Sequence, residues 1–503
     1  MQWNQLIRDV DTLAQSPPSE ASIKGVEYDS RKVSEGSLFV AMRGGTTDGN
    51  HYVEAALNRH AAIATDSRET YSQLETNHPS VPRLLVGDGR TALAQLSANF
   101  FGHPERKLPA IGVTGTNGKT TTAFLSEALL NSTGRSSILV GTIEYHVAGE
   151  VRPSEHTTPE SRDIFALMAD GVSQGATELV MEVSSHALEQ GRVACVGFDV
   201  AVFTNLTRDH LDYHGTMERY FAAKQLLFDG TRYPAPRVAV LNTDDPHSSD
   251  LARVAKRAGS AIVTYGVSTQ ADWRAEDITL TPAGAEFTLS SPSGSAKLAS
   301  ALSGSVNVLN LLAALAAAHA RGIPYSALAE KAPTLKPVPG RFQPVNAGQP
   351  FTVIVDYAHT DDALRNLTAL ARQVVLREKG RVITLFGCGG DRDRTKRPRM
   401  GQAAGEGSDF VVVTSDNPRS EDPLAIIAEI LPGLEATGVR HTVEPDRANA
   451  IVLALAEAHP GDIVLIAGKG HEKVQILHDG TIFFDDTQVA LSALRSLGYG
   501  GLQ

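Results

Sequence analysis

Gly112-Val-Thr-Gly115-Thr-Asn-Gly118-Lys119-Thr120-Thr121-Thr122 ends an apolar run, Leu108–Val113, and leads into a helical pattern from Ala123 to Leu130. Strand, glycine loop and helix in that order make a phosphate cradle. Glycines let backbone N–H groups turn toward an anion, and the helix start adds its positive end. Lys119 can neutralise phosphate charge, and the Thr120 hydroxyl can hold Mg²⁺. The common Gly-x4-Gly-Lys-Ser/Thr pattern would need glycine at Val113. Here the glycines fall at 112, 115 and 118, so the loop is a variant. A plain glycine-rich turn would leave the Lys119–Thr122 run unexplained, so nucleotide binding is the expectation.

The totals fit an enzyme-sized soluble chain. With 503 residues it is expected to form about three domains. Apolar content of 42% and charged content of 20% suit folded domains rather than disorder. A net charge of −11 argues against a nucleic-acid partner, although a local basic pocket can still bind a small anion. Two distant cysteines, Cys195 and Cys388, suit a reducing cytoplasm and exclude a disulfide framework or a four-cysteine zinc site. Residues 1–17 carry Asp9 and Asp11 and no apolar core, so no signal peptide is expected. Val308–Ala318 is too short to span a bilayer and reads as a buried helix, so no membrane insertion is expected.

Three segments are expected: 1–107, 108–337 and 338–503. The first holds short strand patterns, Ser37–Met42 and Leu84–Val86, and ends near Gly102-His-Pro-Glu105. In the second, Ile138–Val140, Glu178–Glu182, Val200–Phe203 and Val238–Leu241 alternate with helical patterns, which argues for a mostly parallel sheet. Leu335–Gly340, with two prolines and a glycine, reads as a linker. Beyond it Phe351–Val355, Arg381–Phe386, Asp409–Thr414 and Asp462–Ile466 alternate with helices such as Thr360–Arg372, a second doubly wound pattern.

Chemistry-bearing residues collect at strand ends, where open α/β sheets bind ligands. Glu182 ends one strand and is a candidate metal ligand, and His210 in the crowded Asn205–Gly215 block is a second. Lys224 lies on the helical stretch Met217–Phe228, where spacing alone gives it only a solvated or salt-bridged role. Asp356 closes a strand and can accept from ribose hydroxyls; Thr360 is better placed as the next helix cap. Two arginine-rich loops, Gly387–Pro398 and Ser415–Arg419, follow strands of the last segment, and Ala467-Gly-Lys-Gly-His-Glu472 follows another. Planar guanidinium forks suit carboxylates or phosphates, and with a carboxylate nearby they would match a zwitterionic amino acid.

Taken together, these blocks resemble the Mur ligases, ATP-dependent enzymes that add amino acids to the peptidoglycan precursor. The resemblance runs along the whole chain: Tyr28-Asp-Ser-Arg31, Asp48-Gly49, the glycine loop, Glu182-Val-Ser-Ser-His-Ala-Leu188, His210-Leu-Asp-Tyr-His-Gly215, Asp356-Tyr-Ala-His359, Gly387-Cys-Gly-Gly-Asp-Arg392 and Gly468-Lys-Gly-His-Glu472. It implies an α/β protein of three domains: a smaller N-terminal α/β domain, a central P-loop-type ATPase domain with a mostly parallel sheet, and a C-terminal Rossmann-like domain.

By the same resemblance, Tyr28, Ser30, Gly45, Thr46 and Thr47 contact the uridine diphosphate part, and His156, Thr157, Thr158, Ser184, Gln190 and Arg192 hold the sugar–peptide part. Gly115, Thr116, Asn117, Gly118, Lys119, Thr120 and Thr121 cradle ATP, with Asn307, Arg341 and Asp356 on the adenosine side. Lys224 resembles the family's carbamoylated lysine, which positions Mg²⁺. Thr120, Glu182, His210 and the Lys224 carbamate are thus the expected metal set, and Lys119, Lys224 and His210 the expected catalytic set.

Asp416-Asn417-Pro418-Arg419 matches the diaminopimelate-adding members. Arg419 would fork onto the carboxylate that lysine lacks, Glu472 and the Gly468 carbonyl would take the ammonium, and Arg392 the other carboxylate. The expected reaction is ATP-dependent ligation of meso-diaminopimelate to UDP-N-acetylmuramoyl-L-alanyl-D-glutamate through an acyl phosphate, by a cytoplasmic monomer. A lysine-adding relative, a folylpolyglutamate-type ligase and a regulatory nucleotide switch are the rivals. Two departures stand out. Asp361 occupies a position usually held by proline, and His156 one often held by asparagine.

Overall fold

The computed structural model describes residues 1–500 apart from Pro18, Thr46, Thr269, 282–283 and 376–379. The chain groups into two compact units, one of residues 1–271 with 313–324, the other of 272–312 with 325–503.

The first unit holds two sheets. The smaller runs in the order Thr12–Gln15, Arg83–Val86, Ala62–Thr65, Ser37–Ala41, Gly25–Glu27, and only its first strand is antiparallel. Ser37–Ala41, Ala62–Thr65 and Arg83–Val86 are buried at every position. Apolar clusters around Trp3 and Leu93 and around Phe39 and Ile63 form its core.

In the larger sheet six parallel strands run Ala261–Gly266, Val238–Asn242, Phe198–Phe203, Ala110–Thr114, Glu178–Glu182, Ser137–Val140. Two antiparallel strands, Glu144–Val147 and Glu150–Pro153, extend it. The central strands read as unbroken apolar runs because helices cover both faces of a parallel sheet. Ala110–Thr114 is central, so the loop after it opens at the carboxyl edge, beside the ends of Glu178–Glu182 and Phe198–Phe203. Gly112 belongs to this strand and not to the loop. A Cβ there would meet the Phe198 ring at 2.7 Å, so its glycine serves sheet packing.

The second unit contains an antiparallel meander, Trp273–Thr281, Gly284–Ser291 and Gly294–Ser300, which the sequence reading did not anticipate. It also holds a six-stranded sheet in the order Gln343–Pro344, Thr352–Asp356, Ile463–Ala467, Val382–Phe386, Phe410–Val413, Arg440–Val443, parallel except for the first pair. Buried clusters on its two faces, one around Phe386 and Ile430 and one around Ile451 and Leu494, make it a doubly covered sheet. The helix Asp361–Val375 starts after Thr360, whose hydroxyl accepts from Ala363 N at 3.2 Å. Asp361 therefore sits in the first turn, where an acid is favoured by the helix dipole and no proline is needed. Gly340 (φ 65°) is no free linker residue. A Cβ on it would lie 2.1 Å from His471 N, so the segment is seated against Gly470–His471.

Arg447 and Asp486 form a fully buried ion pair at 2.7 Å, and Arg447 also donates to the carbonyls of Ala467 (3.0 Å) and Ser415 (3.4 Å). One guanidinium thus ties together the ends of two strands. Arg447→Met would strand a buried carboxylate, and we expect it to cost about 3–5 kcal/mol in urea denaturation, against under about 1 kcal/mol for an exposed pair such as Arg253–Asp250.

Candidate active site

In the first unit the glycine loop is bound to the segment after Phe198–Phe203. Thr116 N donates to Asn205 O (2.8 Å) and Asn117 N to Asn205 Oδ1 (2.9 Å), while Thr204 Oγ1 donates to Asn117 O (2.6 Å). Gly115 (φ 150°) passes so close to Thr204 that a Cβ would stand 1.9 Å from its hydroxyl. Gly118 (φ 85°) turns the chain into the helix Lys119–Ser132. The Lys119 ammonium folds back onto the carbonyls of Gly115 (3.0 Å) and Thr116 (2.7 Å), at the helix start. Backbone N–H groups, a helix N-terminus and a cation in one place fit a nucleotide phosphate chain.

Thr120 Oγ1 donates to Glu182 Oε2 at 2.9 Å. Glu182 is fully buried and also accepts from Thr142 N (2.7 Å) and Thr142 Oγ1 (3.1 Å). A buried carboxylate beside a hydroxyl at the loop is a donor set suited to a hard divalent cation. Among the described residues no three His, Cys, Asp or Glu side chains gather into a ready-made metal cage.

Lys224 departs from its solvated or salt-bridged expectation. It is 1% exposed, donates to Gly115 O at 2.7 Å and lies 4.5 Å from the Tyr220 ring centre. Burial first, then the Lys119 charge, hold its pKa well below the usual lysine value against the weaker pull of Asp209. His210 (φ 52°) sits in a ring cluster, 4.9 Å from His186 and 6.1 Å from Tyr220. Desolvation, helped by His186, Lys119 and Lys224, outweighs Asp209 and lowers its pKa to about 4, although the side chain remains 47% exposed. A neutral imidazole is the form that can bind a metal. Tyr220 joins these groups, since its hydroxyl meets Thr116 Oγ1 at 3.1 Å.

The sugar–peptide candidates form a second network. Thr158 Oγ1 donates to Glu182 O (2.8 Å) and accepts from Ser184 N (3.1 Å). Thr157 meets Thr142 at 3.0 Å. Arg192 bonds to Gln190 Oε1 (2.8 Å) and Thr158 O (2.9 Å) and pairs with Glu160 at 3.2 Å, which Arg90 also holds. His156 is exposed, and its backbone is held by the hydroxyls of Tyr145 and Ser154. In the smaller sheet's loops, Tyr28 OH donates to Asp163 at 2.7 Å, the Ser30 carbonyl accepts from Arg59, and Gly45 has open space where a Cβ would be. Thr47 accepts a backbone bond from Gly44, and Thr46 lies outside the described residues.

In the second unit Arg392 and Arg419 flank Gly389. A Cβ there would meet Arg419 Nη1 at 3.0 Å and Arg392 Cγ at 3.7 Å. The other arginines of that loop turn away, Arg394 to Glu429, and buried Arg397 to Glu421 and Glu429. Asn417 Nδ2 donates to Glu472 Oε2 (2.9 Å), and Arg419 Nη1 donates to Gly390 O (2.8 Å) and Asn417 O (3.4 Å). Asp416 is buried and its pKa is raised by desolvation despite Arg447 and Lys469. A Cβ on Gly468 (φ 115°) would lie 2.8 Å from its carboxylate. Pro418 O lies 1.9 Å from where a Gly390 Cβ would stand, so the two loops touch backbone to backbone.

The adenosine-side candidates also fall in this unit. Asn307 is buried and donates to Ser303 O (2.9 Å), and Arg341 stacks 4.6 Å from the Tyr357 ring centre. Asp356 accepts from Phe342 N (2.6 Å) and Ala358 N (2.9 Å), so its carboxylate anchors backbone turns. The sequence reading gave no role to Thr142, Asn205, Tyr220 or Lys469. Only Tyr220, four residues before Lys224 on one helix face, carried a local signal.

These features define an α/β nucleotide-binding protein with a phosphate loop and a separate cluster of paired charges. Comparison with known proteins makes the class specific. The description "Mur ligase family, catalytic domain" matches residues 22–101, "Mur ligase middle domain" 113–318 and "Mur ligase, glutamate ligase domain" 340–470. A UDP-N-acetylmuramoyl-L-alanyl-D-glutamate–2,6-diaminopimelate ligase of Solibacter usitatus is 50% identical over 481 residues, 96% of this chain and 95% of that one. One of the same description from Geobacillus kaustophilus is 46% identical over 95% and 96% of the two chains. A solved structure of a ligase so described superposes with a TM-score of 0.70 at 36% identity, covering 98% and 99%. A Mycobacterium tuberculosis folylpolyglutamate synthase, at 19% identity and a TM-score of 0.58, shares the fold. The chain belongs to the Mur ligase family.

His146 lies on Glu144–Val147, where its Nδ1 meets both Glu127 oxygens at 2.8 Å and its Nε2 meets Glu144 at 3.0 Å. Glu127 belongs to the loop's own helix, so this pair braces that helix against the sheet. Burial opposes the imidazolium, but Glu127 and then Glu144 outweigh it and push the pKa up to about 9 from 6.5. A raised pKa stabilises the fold fully below about 6.5 and ceases to do so as pH rises through about 9. Wild type should therefore exceed His146→Gln in unfolding free energy by a margin that is largest near pH 6 and fades across that window; urea titrations at several pH values check it.

Proposed function

We infer that the protein is an ATP-dependent ligase that joins meso-diaminopimelate to the D-glutamate of UDP-N-acetylmuramoyl-L-alanyl-D-glutamate. What carries the amino-acid half is Asn417, whose side-chain Nδ2 donates to Glu472 while its backbone carbonyl accepts from Arg419. A carboxylate and a guanidinium kept at opposite ends of one residue suit an amino acid with an extra charged head. Lysine would leave Arg419 without its carboxylate, and a site built for a polar group rejects the analogue lacking it. The Solibacter usitatus and Geobacillus kaustophilus relatives carry the diaminopimelate description, which favours this reading over lysine addition. The folylpolyglutamate synthase supports only the fold.

In this reading residues 1–107 bind the uridine nucleotide, 108–337 bind ATP and 338–503 bind the amino acid. The glutamate γ-carboxylate takes the terminal phosphoryl group of ATP, releasing ADP, because a bare carboxylate oxygen leaves too poorly. The amine of diaminopimelate then attacks the acyl phosphate, loses a proton and expels phosphate. Lys119 and the loop N–H groups offset charge on the phosphoryl group as it transfers. Arg192, Gln190, Thr157, Thr158 and Ser184 hold the peptide end so that its carboxylate stays in line. Tyr28, Ser30 and the Gly45–Thr47 turn hold the uridine diphosphate; Asn307, Arg341 and Asp356 hold the adenosine.

Thr120, Glu182 and His210 would hold Mg²⁺, with a modified Lys224 for a second ion. Bound Mg²⁺ supplies positive charge against the phosphate oxygens. Burial lowers the Lys224 pKa well below the usual lysine value, which favours the neutral amine that adds CO₂ and loses a proton, giving a carbamate that places an anion beside the loop. We place the enzyme in the cytoplasm as a monomer. Among the described residues no helix is long and apolar enough to cross a membrane.

Purified protein should release ADP only with both the UDP-dipeptide and diaminopimelate present. Release with either omitted would refute ligation. Arg419→Ala should raise the diaminopimelate KM by about a hundredfold or more and leave the ATP KM within about twofold; equal rises would remove Arg419 from amino-acid recognition. Lys224→Ala should lose nearly all turnover and recover part of it with added short carboxylic acids. No recovery would contradict the carbamate.

A further inference from the structure

Lys469 is the one residue of the Gly468–Glu472 turn whose side chain is wholly enclosed, with 0% exposure. A lysine is rarely buried without anionic or strongly polar partners, and an ammonium has three donors to place. Its Nζ lies 3.0 Å from Asn417 Oδ1, 3.0 Å from Glu472 Oε2 and 3.7 Å from Asp416 Oδ1. The three acceptors come from two loops, those that follow Phe410–Val413 and Ile463–Ala467. The ammonium is therefore a rivet between them.

The rivet also fixes directions. Asn417 Oδ1 takes Lys469 and the backbone N–H of Ile476 (3.0 Å), which forces Asn417 Nδ2 toward Glu472. Glu472 Oε2 is then held twice, by Lys469 and by Asn417. Among the described residues no hydrogen bond reaches Glu472 Oε1, and the side chain is 29% exposed, so that oxygen is the one offered outward. On the other side, Arg419 N donates to Ile476 O at 3.1 Å, so the residue whose N–H donates to Asn417 also seats Arg419, whose backbone is in the left-handed region (φ 53°). Both charged groups assigned to the amino acid thus refer back to one ammonium that neither faces solvent nor reaches the ligand.

We propose that Lys469 is a positioning residue for amino-acid selection. It sets the separation of the Glu472 carboxylate from the Arg419 guanidinium, and so sets which length and charge pattern of amino acid fits, without touching it. The proposal rests on the functional reading above and deepens it. An amino acid with an amine and a carboxylate at each end presents an ammonium and a carboxylate at its far head, and needs both groups at a fixed spacing. A single-headed one needs only the ammonium side. Loosening the rivet should therefore harm the two-headed substrate more.

The test uses the full-length enzyme with UDP-dipeptide, ATP and Mg²⁺, and compares wild type, Lys469→Met, Lys469→Arg, Glu472→Gln and the Lys469→Met/Glu472→Gln pair. Lys469→Met should raise the diaminopimelate KM by about ten- to a hundredfold, since a misplacement near 1 Å costs on that order. The ATP and UDP-dipeptide KM values should stay within about twofold, and the preference for diaminopimelate over lysine should narrow. Lys469→Arg keeps the cation but carries a larger planar head, so it should fold and still show the selective KM rise. With Glu472 already changed, Lys469→Met should add much less than it does alone. An unchanged diaminopimelate KM in soluble Lys469→Arg, fully multiplicative effects in the pair, or equal rises for all three substrates would overturn the proposal. A wild-type enzyme that made no product would instead overturn the functional reading itself.

Discussion

One backbone carbonyl governs the chemistry of the first unit. Gly115 O accepts from Lys119 Nζ at 3.0 Å and from Lys224 Nζ at 2.7 Å. Two ammonium ions this close to one acceptor repel, and one of them is fully enclosed. Charge on both is affordable only with anions to answer it. A phosphate chain over Lys119 is one answer, and a neutral or carbamoylated Lys224 is the other. The loop geometry that creates this arrangement depends on Gly115 passing against Thr204, where no side chain fits. In the proposed function, phosphate binding, metal placement and the state of Lys224 all draw on that single close approach.

The second unit solves a different problem with similar means. Its paired charges are fastened from behind: Arg397 to Glu421 and Glu429, Arg447 to Asp486, Lys469 to Asn417 and Glu472. Each buried cation has partners, as the cost of enclosing a charge requires. Arg419 and Arg392 remain at the edge of this framework beside Gly389. Under the proposed function this framework would confer selectivity by rigidity, because a guanidinium held in place is costly to leave unmatched.

The legible parts of the sequence were those whose meaning is local. The loop is contiguous, and the run from strand to glycines to Lys119 announces itself. Glu178–Glu182 was readable to the residue, because a strand buried on both faces is a plain apolar run. The meander Trp273–Ser300 was missed, since its strands mix Ser, Thr and charged residues on exposed faces. Arg440–Val443 was missed for the same reason at a sheet edge. Thr142, Asn205 and Lys469 act on partners 40, 88 and 52 residues away, so no spacing rule could reveal them. Lys224 was misjudged because helix periodicity shows which face a residue occupies and not what covers it.

The two units bear on one reaction, and a single experiment reads both. Purified protein is given UDP-N-acetylmuramoyl-L-alanyl-D-glutamate, ATP, Mg²⁺ and equal amounts of meso-diaminopimelate and lysine, and the UDP-linked products are weighed by mass spectrometry. The account predicts one new species, heavier by diaminopimelate less water. A lysine adduct in comparable yield, or no lengthened species at all, would contradict it.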